Sequence, residues 1–60
     1  MNFIEVTDKE ADGVVYSFNP EHIVCVFVDV KGNTWILPTH GQPVVVKEEY
    51  ADILEEILQS

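Results

Sequence analysis

The run Ile23-Val24-Cys25-Val26-Phe27-Val28 constrains the fold more than any other stretch of the chain. It holds six apolar residues in succession, four of them β-branched. At strand periodicity such a run is apolar on both faces, which predicts a central strand covered on each side. It is too short to span a bilayer, which takes about 20 residues.

The rest of the chain falls into place around it. Residues 2–7 alternate, with Ile4 and Val6 on one face and Phe3, Glu5 and Thr7 on the other, and 14–18 resume the pattern after a polar turn closed by Asp12-Gly13. Together they predict a β-hairpin. Asn19-Pro20 breaks the run before a strand over 23–30. Lys31-Gly32-Asn33 then turns into a strand over 34–37, which Pro38 ends or places at an edge. A last strand over 43–47 carries three valines.

From Glu48 the period changes. Tyr50, Ile53, Leu54, Ile57 and Leu58 fall at i, i+3, i+4, i+7 and i+8, so 48–58 reads as an amphipathic helix. Glu49, Asp52, Glu55, Glu56 and Gln59 lie on its other side. The fold class is therefore α+β: a small antiparallel sheet or partly open barrel of about five strands with one C-terminal amphipathic helix, all in a single small domain over 1–60.

Sixty residues hold little core. A chain of this size has a stability of roughly 3–9 kcal/mol and commonly gains support from disulfides, a metal or a partner subunit. One cysteine allows no internal disulfide. One helix cannot cover both faces of a doubly apolar strand, so either a barrel closes or a second copy covers the sheet. Self-association is the expectation.

Three Lys against eleven Asp and Glu give a net charge of −8, with no arginine. Bidentate phosphate clamps are absent and the field repels nucleic acid and anionic membranes. With the lone thiol and no basic n-region before an apolar segment, the composition predicts a cytoplasmic protein.

The candidate chemical sites are thin. Asp8, Glu10, Asp12 and Gly13 match positions 1, 3, 5 and 6 of a calcium loop, but Asn19 stands where the bidentate glutamate belongs, so the segment reads as a solvated turn. His22 and Cys25 lie three apart on a strand and leave opposite faces, which defeats chelation; His40 reads as a turn residue. Cys25 among valines reads as a buried hydrophobe, unsuited to a thiolate nucleophile. Ser17 and Ser60 lack a base. No metal, no cofactor and no catalysis are expected.

The order of signals from Asn19 onward resembles the flagellar FlbD-like family of small proteins, also described as swarming motility proteins. The matching residues are Asn19 and Ile23, Thr34 and Ile36, Gly41, and Val46-Lys47-Glu48 leading into an acidic helix. The long acidic first turn, and Pro38 and His40 before Gly41, depart from the family pattern. The resemblance implies an accessory factor without catalysis that acts by contact with other proteins.

The functional expectation is a non-enzymatic, self-associating interaction module. Val24, Val26 and Val28, or their opposite-face neighbours, would centre the face left open by the helix. Trp35 would serve as an interface anchor or a core residue. The alternative is an acidic mimic of nucleic acid, with Asp52, Glu55 and Glu56 imitating phosphates in the basic groove of a DNA- or RNA-binding protein.

Overall fold

The computed structural model describes residues 3–59. The elements follow as β1 (Ile4–Thr7), β2 (Val15–Phe18), a 3₁₀ turn (Pro20–His22), β3 (Ile23–Val28), β4 (Thr34–Pro38), β5 (Val44–Val46) and α1 (Tyr50–Gln59). The fold is α+β, and the five strands form two antiparallel sheets, β1–β2 and β3–β4–β5, that do not close into a barrel.

A seam joins the sheets. Asp8 bridges Val46, the Lys9 amide donates to the Val45 carbonyl at 3.0 Å, and the Lys47 amide donates to the Thr7 carbonyl at 2.9 Å. Glu48 strengthens it: one carboxylate oxygen accepts the Thr7 amide at 2.8 Å and the other the Thr7 hydroxyl at 3.0 Å. β1 therefore runs beside β5, and β2 and β3 are left as the outer strands.

The core follows from alternation. Ile4 and Val6 of β1, Ile36 of β4 and Val46 of β5 point inward, and Ile53 of α1 closes over them. Tyr16, Phe18, Ile23, Val26, Val44 and Ile57 pack around this centre. Only part of the helical stripe docks: Ile53 is buried, Leu54 and Ile57 are half-buried, and Tyr50 and Leu58 are exposed.

Several expectations need correction. β3 is not central; β4 is the middle strand of its sheet, with Thr34 and Ile36 buried, and β3 lies at the edge. The apolar run is therefore covered on neither side in full: Val24, Cys25, Phe27 and Val28 are exposed, and only Ile23 and Val26 pack against the core. The strand ends at Val28, short of Val30, because Asp29 starts a turn: its amide donates to the Asn33 carbonyl at 2.9 Å and its carbonyl accepts the Gly32 amide at 3.0 Å. Gly32 has φ +87°, a conformation that suits glycine.

α1 starts at Tyr50 and not at Glu48, because Lys47 and Glu48 continue the seam to Thr7 before the chain can wind. Val14 belongs to the first turn, not to β2, since its amide donates to the Ala11 carbonyl at 3.2 Å. Asn2 and Ser60 lie outside the described residues.

Candidate interaction surface

The sequence grouped Val24, Val26 and Val28 on one face, and the structure separates them. The register of β3 against β4 shifts between Ile23 and Cys25, a bulge that breaks the alternation. As a result Ile23 and Val26, three residues apart, both pack on the core. Val24 is turned out to solvent, and Val28 lies where its face meets water.

The face away from the helix is built from other residues. Cys25 lies opposite Leu37, and Phe27 opposite Trp35. The Phe27 and Trp35 rings stack, with centroids 6.3 Å apart and planes within 6°. Trp35 is half-buried on this outer face, so it belongs neither to the core nor to a bare surface. Cys25 is exposed, which corrects its reading as a buried hydrophobe.

Asp29 fixes this platform. Its carboxylate accepts the Trp35 indole N–H at 2.9 Å, the amides of Lys31 and Asn33 at 2.9 Å each, and the Asn33 side-chain amide at 3.4 Å. Those donors, the indole first and the Asn33 amide next, hold its pKa down to about 2. No periodicity argument assigns this role, because the bonds depend on the turn that brings Lys31, Asn33 and Trp35 around the carboxylate.

The first turn is held from within in the same way. One Asp8 oxygen accepts the amides of Glu10 and Ala11 at 2.7 Å each, and the other accepts the Tyr16 hydroxyl at 2.9 Å. These bonds, the Ala11 amide first, lower the Asp8 pKa, and the same contact raises that of Tyr16. Asp8 is thus an acceptor for its own turn. Among the described residues no group of three His, Cys, Asp or Glu is arranged to hold a metal ion. No helix among them is long and apolar enough to cross a membrane.

The helix carboxylates do come together. Asp52, Glu55 and Glu56 line a shallow groove of about 330 Å³ with Glu5 and Glu48. Two of the three lysines, Lys9 and Lys47, lie elsewhere, in a cleft bordered by Val28 and Tyr50, where the Lys9 ammonium binds the Asn33 side-chain oxygen.

The outer edge of β3 is the most exposed apolar feature. Val24, Phe27 and Val28 are 61%, 40% and 48% exposed, and Val30 just beyond is fully exposed at 103%. The six residues of β3 include no charge and no proline, the two commonest guards of an open edge. Since the Asp29 amide points at β4, alternation along the ladder turns the backbone N–H and C=O of Val28 and Val26 away from β4.

Compared with known proteins, the chain matches no family model, no curated protein and no solved structure.

Proposed function

We propose that this chain is a non-enzymatic protein-interaction module that self-associates through the edge of β3. One observation carries the reading: a six-residue outer strand with no charged residue, carrying exposed Val24, Phe27 and Val28, in a protein of net charge −8. Unpaired strand edges bind other strands through main-chain hydrogen bonds, while the projecting side chains set preference. The resemblance to the FlbD-like proteins supports the same reading, since these act by contact. A cytoplasmic setting suits it too, because an exposed Cys25 on the docking strand stays a thiol there.

The nucleic-acid mimic draws support from the shared groove alone. One of its five carboxylates, Glu48, already accepts both donors of Thr7. The edge is the stronger feature.

Light scattering across a concentration series tests the proposal. The unaltered chain is expected to exceed the monomer mass as concentration rises. Val24→Lys puts an ammonium at a position that is exposed in the monomer, so the fold is retained while the dissociation constant rises by about tenfold or more. A monomer mass for the unaltered chain throughout refutes self-association, and an unchanged constant in the variant refutes the edge as its site.

A further inference from the structure

Resting on that reading, we infer that the occupant of the β3 edge is the β3 of a second copy, antiparallel about a two-fold axis at Phe27. The two three-stranded sheets would then become one sheet of six strands.

The register follows from which groups are free. A two-fold axis pairs residue with residue so that their numbers add to a constant, and backbone hydrogen bonds form only between outward-pointing residues. Those are Val26 and Val28. An axis at Phe27 pairs Val26 with Val28 of the other copy, and Val28 with its Val26, so both outward residues of each strand are satisfied. An axis at Val26 would instead pair Val28 with Val24, where the bulge disturbs the edge.

Side chains agree with that choice. Phe27 meets Phe27 of the second copy at a non-hydrogen-bonded position, where opposing side chains approach most closely. Each Phe27 already stacks on its own Trp35, so four rings line up across the outer face. Beyond the paired strands, Val24 of one copy comes toward Val30 in the turn of the other, and these are two of the most exposed apolar residues in the chain.

Charge favours a second copy as well. β3 itself carries no charge; Glu21 lies before it, and Asp29 and Lys31 follow it. Antiparallel pairing lays the Lys31 turn of one copy along the Glu21 end of the other, twice, while each Asp29 carboxylate stays engaged by the Lys31 and Asn33 amides and the Trp35 indole of its own copy.

Cysteine placement reads the register out. In a Cys25→Ser background, Phe27→Cys sets two thiols on the axis, where paired Cα atoms lie about 4.5 Å apart, within disulfide range. Under mild oxidant most of this variant is expected to run as a covalent dimer. The unaltered chain is not, because its Cys25 faces Asp29 of the other copy. In the unaltered chain the Val26 and Val28 amides should also exchange more slowly as concentration rises, a measurement that leaves the aromatic platform in place.

Covalent dimers through Cys25 in the unaltered chain overturn this register while leaving self-association standing. So do dimers formed by Phe27→Cys only when Cys25 is retained, which mark an axis at Val26. Dimers by light scattering with no slowing at Val26 and Val28 overturn the edge pairing. A monomer at every concentration overturns both this inference and the reading beneath it, and points to a strand from a different protein.

Discussion

Replacing Ile53 by alanine tests whether α1 is what closes the core. Ile53 has 0% exposure and is the one fully buried side chain of the helix, sitting against Ile4, Val6, Ile36 and Val46 from three strands of two sheets. Truncation to alanine removes three carbons from a site walled by strands that cannot collapse inward together, which costs about 2–5 kcal/mol. Set against a total of roughly 3–9 kcal/mol, that leaves little or no folded protein at 25 °C in the worse half of the range. For a domain this size the midpoint falls by more than about 8 °C. Urea unfolding followed by Trp35 fluorescence and far-UV circular dichroism, at one fixed protein concentration, measures it. Leu58, 85% exposed on the same sequence stripe, is the control, and Leu58→Ala should change stability by no more than about 0.5 kcal/mol. A cost below about 1 kcal/mol for Ile53→Ala, or equal costs at both positions, refutes the docking of the helix through Ile53.

The Asp29 carboxylate is held from its ordinary 3.8 down to about 2, so its contribution is present above pH 4 and is lost as the pH falls from about 4 toward 2. Asp29→Asn should flatten the acid side of the stability profile in that window and shift Trp35 emission at neutral pH; an unaltered acid limb counts against the Asp29–Trp35 bond. Gly32→Ala should lose about 1–2 kcal/mol by thermal unfolding, from backbone strain alone, since φ is +87° and an added Cβ meets nothing within 4 Å. Gly32→Asn should lose less, and an alanine variant as stable as the original refutes the strain.

What the sequence made legible was local. The helix is announced by a stripe at the right spacing, and the hairpin turns by Asp12-Gly13 and Lys31-Gly32-Asn33, because periodicity and turn chemistry act over a few residues. The position of β3 was not legible. Six apolar residues in a row look alike whether a strand has one neighbour or two, and the bulge at Val24 carries no glycine to mark it. Nor was the seam, where Thr7 and Glu48 meet across 41 residues of sequence. The candidate surface suffered accordingly. Alternation alone left Trp35 open between core and interface, and the three valines were grouped by an alternation the bulge interrupts.

The open edge also sets how far association can run. A strand that paired with a different edge, β3 on β2 of the next copy, would leave the same two edges free at either end and grow without limit. Pairing β3 with β3 uses the same edge twice and leaves only the two β2 strands outside. Those are short, four residues each, with Tyr16 and Phe18 turned toward the core and Tyr16 tied to Asp8. Each copy added beyond two would bring eight more negative charges against sixteen already present, and would have to dock on β2, which is uncharged but only four residues long. A neutral docking strand in so acidic a chain therefore favours a closed pair over a fibre.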